Sequence, residues 1–174
     1  MIFKNISNFS NIGDYLPILN GCIIADLIII FLLFNGVFKS NYLKKWYKKF
    51  NLSASIADIL ILVIGIIIAR FLYKFIFDEF TIWKFTGLAI IIQIIHDLLF
   101  YYVFTTIPLG YNYMLDFFKL YAKEVGVGAI LGDSLMMGIA CLLSSYMATF
   151  SVNINIIILI VSVYFIPYLI YYEI

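Results

Sequence analysis

Six ionisable side chains interrupt stretches of this sequence that are otherwise apolar: Asp26, Asp58, Arg70, His96, Asp97 and Asp133. A charged group near the centre of a bilayer costs about 2.5–3.5 kcal/mol on insertion scales, so each must turn away from lipid and find a partner. Gln93, His96, Asp97 and Phe100 recur at three- and four-residue spacing and share one helical face. His96 is the only histidine. An imidazole beside a carboxylate is a candidate proton or ion path. The same residues also serve as a buried polar tie between helices, with Gln93 one turn away to bond the carboxyl of Asp97. Depth counting pairs Arg70 with Asp26 or with Asp97. It leaves Asp58 and Asp133 shallower, one to two turns from the opposite face, within reach of water or interfacial lysines.

Motifs for catalysis are thin. A single histidine excludes the multi-histidine metal centres of desaturases and hydroxylases. There is no GxSxG nucleophile elbow, no P-loop and no GxGxxG. Gly132-Asp133-Ser134 sets a serine next to an acid, but no second histidine or lysine base stands nearby. Acids from different spans could jointly bind a divalent ion, as in lipid phosphotransferases, yet the acid-rich signature of those enzymes is missing. The sequence therefore assigns no catalytic residue, no metal and no cofactor. Cys22 and Cys141 form no CxxC and read as two small buried hydrophobes without a disulfide.

These groups need elements to position them. The chain has 174 residues, of which 65% are hydrophobic and only 12% charged, too little polar surface to cover a soluble core of this size. About 20 apolar residues span the hydrocarbon. Five segments qualify, at about 16–38, 54–77, 85–107, 127–149 and 154–172, in one transmembrane domain covering 1–174. The apolar runs are unbroken and do not alternate, so a strand barrel is excluded. The fold class expected is all-α, a polytopic bundle. Pro17 lies where a helix tolerates it, Ser53 is positioned to cap the second span, and Pro108 stops the third. Between spans three and four, 112–125 has Met114, Phe117, Phe118, Tyr121 and Val125 on one face and Asn112, Asp116, Lys119 and Lys123 on the other, the pattern of an interfacial helix.

Orientation follows from the lysines. The loop after the first span carries Lys39, Lys44, Lys45, Lys48 and Lys49, and the interfacial helix adds Lys119 and Lys123; the opposite side has Lys4, Lys74 and Lys84. The positive-inside rule places the first group in the cytoplasm, with the N-terminus outside and the C-terminus inside. Lys44, Lys45, Lys48 and Lys49 around Trp46, with Lys119 and Lys123, form a belt suited to anionic headgroups, either as a plain topology signal or as specific lipid recognition. Gly65, Gly128 and Gly132 stand on small-residue lines that let helices approach closely, within the bundle or between copies of the chain. A net charge of +1 gives no reason to expect nucleic acid as a partner.

The stretch 93–137 resembles a small membrane-protein family of unassigned activity from nucleocytoplasmic large DNA viruses. The residues that carry the resemblance are His96-Asp97, the Pro108-Leu109-Gly110 turn, Asp116, Lys119, Tyr121-Ala122, Glu124, Gly126 and Gly132-Asp133-Ser134. It implies a viral membrane protein, for instance of the virion's internal membrane, and implies no reaction. Three functions stand after this reading. The first is a non-enzymatic integral membrane component that docks lipid, other membrane proteins or capsid proteins. The second is a proton- or ion-conducting protein using His96 and the intramembrane acids. The third is a lipid-modifying enzyme.

Overall fold

The computed structural model describes residues 2–172. A single 3-10 turn at Ile12–Asp14 leads into α1 (Tyr15–Phe34), followed by α2 (Asn41–Phe50), α3 (Leu52–Ile76), α4 (Ile82–Thr106), α5 (Tyr113–Val125), α6 (Val127–Met147) and α7 (Val152–Ile170). Five helices are long and apolar enough to cross a membrane: α1 with its leading turn, α3, α4, α6 and α7. This is the all-α bundle the composition demands. The first span ends earlier than expected, at Phe34 rather than 38. Gly36, at φ +76°, lets its own N–H reach Leu33 and that of Val37 reach Leu32, which closes the helix with a Schellman turn.

α1 is the central helix. It packs most extensively on α6, then on α7 and α3, while α4 bridges α3 and α6. The α1–α6 crossing is close because Gly21 has no side chain. A Cβ there would sit 2.3 Å from Ser144 Oγ, 2.6 Å from the Ser144 backbone nitrogen and 2.9 Å from the Ala140 carbonyl. In lipid, where burial of apolar surface between helices gains little, such backbone approach is the main source of helix association. A second tie joins α1 to α7: Asn20 donates to the backbone carbonyl of Asn155 at 2.8 Å, and Asn155 donates to the Met147 carbonyl at 3.0 Å.

The segment 39–50 corrects the sequence reading, which has it as a loop. Ser40 caps it by accepting from the Leu43 N–H at 3.1 Å, and Leu43, Trp46, Tyr47 and Phe50 recur at helical spacing. α2 then passes into α3 through Asn51 alone, at φ +50°. Ser53 is therefore a first-turn residue of α3 and not its cap. α5 begins where expected: Asn112 Oδ1 accepts from the N–H groups of Met114 and Leu115.

α2 and α5 lie at the same end of the bundle. Trp46 packs on Phe118 and Phe117, with ring centroids 4.9 Å and 5.9 Å apart. Glu124 accepts from Ser40 and from the Tyr42 N–H, and Lys48 donates to the Tyr172 carbonyl. The polar N-terminal segment closes the other end. Lys4 N–H donates to the Ser145 carbonyl, Ser145 Oγ donates back to the Lys4 carbonyl, and Ile6 is buried.

Two expectations follow. Cysteines placed at the exposed positions Lys45 and Lys123 will be labelled from one side of the membrane, and cysteines at Glu79 and Ser151 from the other, by a membrane-impermeant maleimide. Labelling of Lys45→Cys and Lys123→Cys from opposite sides contradicts the topology. In a thermal melt in detergent, Gly21→Ala will lose about 1–3 kcal/mol through overpacking. Gly132→Ala will melt like the wild type, because its Cβ would meet nothing within 4 Å.

Candidate functional site

The inward faces of α2 and α5 roof a cavity of about 640 Å³ between α1, α3, α4 and α6. Its polar wall comes from three helices: Asp58 on α3, then Gln93, His96 and Asp97 on α4, and Asp133 on α6. The remaining lining is mainly aromatic and aliphatic, including Trp46, Phe100, Phe117, Phe118 and Met136.

Each carboxylate is held differently. Asp58 Oδ2 accepts from Trp46 Nε1 at 2.9 Å and lies 2.8 Å from the Tyr47 hydroxyl. That hydroxyl is also 2.9 Å from Asp26 Oδ1, while Asp26 Oδ2 accepts from Ser55. A phenol has one proton to give, so Tyr47 donates to one of the two acids and the second contact uses a proton from the carboxyl itself. Burial pushes the Tyr47 phenol well above its ordinary pKa, and the charges of Asp26 and Asp58 add to this, so it stays a hydroxyl. On α4, Asp97 Oδ1 accepts from Gln93 Nε2 at 2.7 Å and meets His96 Nδ1 at 3.1 Å. Gln93 Oε1 and Asp97 Oδ2 are buried without a partner among the described residues. Asp133 enters no ion pair or side-chain hydrogen bond with a described residue. Tyr121 lines the same cavity from α5. Burial raises its phenol, and Asp133, Asp58 and Asp97, in that order, raise it further.

The structure divides the residues expected to form one polar cluster. Asp26, Asp58, Gln93, His96, Asp97 and Asp133 gather at the α2–α5 end. Arg70 does not join them: it lies 15 residues beyond Ser55 on the same helix, about 22 Å further along the axis. Its partner is neither Asp26 nor Asp97. The guanidinium is 3.6 Å from Asp14 Oδ2, donates to the backbone carbonyls of Asn8 and Asn11, and lies 4.6 Å from the centre of the Tyr15 ring. Lys4 and the Asn11 amide complete the ligation of the buried Asp14 carboxylate. The N-terminal stretch, outside every span, folds back over the helix ends and brings its own acid to Arg70.

The interfacial belt is also redrawn. Trp46 is 3% exposed and faces the cavity, not headgroups. Lys119 turns inward to the Ile107 carbonyl and pairs with Asp116 at 3.6 Å. Lys45, Lys48, Lys49 and Lys123 are exposed and Lys44 is partly so. Among the glycines, Gly65 is a packing position, since a Cβ there would lie 2.6 Å from the Met137 methyl. Gly128 and Gly132 are not. Both are exposed and line the cavity; a Cβ at Gly132 would meet nothing within 4 Å, and one at Gly128 only the Val125 side chain, at 3.4 Å. Sequence reasoning missed Tyr47 and Tyr121, whose phenols contact or face the acids, and Asn20 and Asn155. Amides inside apolar spans were a legible signal for the last two.

Fold and site together define a multi-pass helical membrane protein with an acidic, aromatic-roofed cavity at one end. Comparison with protein-family models, with curated proteins and with solved structures finds no match. Among the described residues no three His, Cys, Asp or Glu side chains group closely enough to hold a metal ion, so the jointly bound divalent ion considered from sequence has no ready ligand set.

Loss of one partner of a buried pair is costly. Asp14→Ala, which strands the fully buried Arg70, will cost about 3–5 kcal/mol, whereas Lys4→Ala, at a side chain 44% exposed, will cost under about 1 kcal/mol. Tyr47→Phe will cost about 1–3 kcal/mol by leaving the Asp26–Asp58 pair without its shared hydroxyl. Melting of the three purified variants checks the order.

Proposed function

We propose that the protein is a non-enzymatic, multi-pass component of a membrane that holds an amphiphilic small molecule in the cavity beneath α2 and α5. The observation that carries this reading is the composition of the wall. Asp58, Gln93, His96, Asp97 and Asp133 bring polar groups to it from three helices, and most of the remaining lining is aromatic or aliphatic. Sites for small molecules are mostly apolar, hold a few placed polar groups and enclose about 300–1,000 Å³. The exposed Leu131 and Leu135 beside Gly128 and Gly132 offer an apolar tail a route in from lipid.

The His96–Asp97 contact favours a second reading, a proton or ion path. Against it, the buried side chains between Gln93 and the Arg70–Asp14 pair are largely apolar: Leu62, Ile66, Ala69, Phe85 and Ala89. The proposal further sets the lysine-rich end in the cytoplasm, where Lys45, Lys48, Lys49 and Lys123 meet anionic headgroups. It takes the membrane to be viral on the resemblance of residues 93–137, and recovery of the chain from purified virions tests that provenance.

Trp46 supplies the assay. Trp83 is the only other tryptophan and is 70% exposed at the opposite end, so Trp83→Phe isolates the cavity signal. Single-chain amphiphiles with a brominated tail will quench Trp46 saturably in detergent, and Gly132→Leu, which narrows the opening without crowding a helix, will weaken that quenching. Quenching that never saturates, or that equals the quenching of a protein unfolded in the same detergent, contradicts the reading.

A further inference from the structure

The chemistry of the cavity wall selects the head of its occupant. Its unsatisfied groups are acceptors: Asp97 Oδ2, Gln93 Oε1 and the carboxylate of Asp133. Gln93 is 3% exposed, so its free oxygen is turned to the interior. Asp58 is bonded only by the neutral donors Trp46 and Tyr47. Lys39 is the one lysine or arginine on the wall among the described residues, and it pairs with none of the acids. His96 is on the rim, with its side chain 38% exposed, and is already in contact with Asp97. A carboxyl group at membrane depth is stabilised either by a proton or by a countercharge, and an ammonium supplies the countercharge.

We infer that the cavity binds a cationic amphiphile, a long-chain amine whose ammonium is held at the acidic wall to which Asp58, Asp97 and Asp133 contribute and whose chain lies against the aromatic roof. An ammonium brings three donors, no acceptor and one positive charge, the complement of ionised carboxylates. Trp46 and Phe117 line the same cavity and give the chain an aromatic surface. A fatty acid or phosphate head would meet like charge. An alcohol would satisfy one acceptor and leave the charge uncompensated. The inference rests on the reading of the cavity as an amphiphile site and adds the class of its head.

The test uses the full chain carrying Trp83→Phe and three brominated probes of equal chain length: a primary amine, an alcohol and a carboxylic acid. The amine will quench Trp46 saturably, and the alcohol and the acid will bind at least about tenfold more weakly, the loss of one charge-assisted hydrogen bond. Asp133→Asn and Asp97→Asn will each weaken the amine by a similar factor and leave the alcohol unchanged. Asp133 has no side-chain partner to lose among the described residues, so its variant will keep the wild-type melting temperature. Equal binding of amine and alcohol, tighter binding of the acid, or amine binding untouched in both variants overturns the cationic head and leaves the amphiphile site standing. Saturable quenching by none of the three overturns both.

Discussion

The approach of α6 to α1 at Gly21 governs the rest of this structure. Gly21 lies in the second turn of α1, and it admits Ala140 and Ser144 from the C-terminal half of α6 until backbone meets backbone. Two helices held so closely at one end need not stay close at the other. Towards its N-terminus α6 presents Gly128, Leu131 and Gly132 to open space, and the gap that this leaves is the cavity. The α2 and α5 helices then cover the gap with aromatic rings. Tight packing at one end of the bundle and an acidic chamber at the other are consequences of one contact.

The same division separates the charges. At the packed end one buried acid, Asp14, is met by Arg70, Lys4 and an amide, so its charge is compensated within the chain, although Arg70 Nε and Nη1 are buried without a partner among the described residues. At the open end three acids face a common space: Asp58 with Trp46 and Tyr47, Asp97 with Gln93 and His96, and Asp133 with no side-chain partner among the described residues. Both arrangements answer the same requirement, that an ion removed from water must find donors or countercharge. The first answers it internally. The second leaves Gln93 Oε1 and Asp97 Oδ2 without a partner among the described residues, beside a cavity rather than within a packed interface.

The amphipathic helices show why burial of an aromatic residue has to be argued from its surroundings. Trp46 stands among four lysines, a setting that in a flat interfacial helix would place the ring at headgroup level. In the structure the lysines fan outward, and Trp46 turns under them to bond Asp58. The roof is held by ring contacts between α2 and α5, and by Glu124, which accepts from the start of α2.

The sequence alone determined the class and most of the elements. Runs of about 20 apolar residues specify membrane helices whatever their neighbours, and the 112–125 pattern specifies a two-faced helix, because both follow from local periodicity and from the cost of exposing backbone to lipid. It also singled out the acids, Gln93 and His96 as residues that must be sheltered. Tertiary structure decided what shelters them. Arg70 pairs with Asp14 because a polar N-terminal stretch folds back over the bundle. Gly21 packs while Gly128 and Gly132 stay open, although all three are glycines in apolar helices. Asp133 faces a cavity with no side-chain partner among the described residues. Each of these depends on lateral neighbours, and periodicity along one helix fixes depth and face but carries no information about which helix stands opposite.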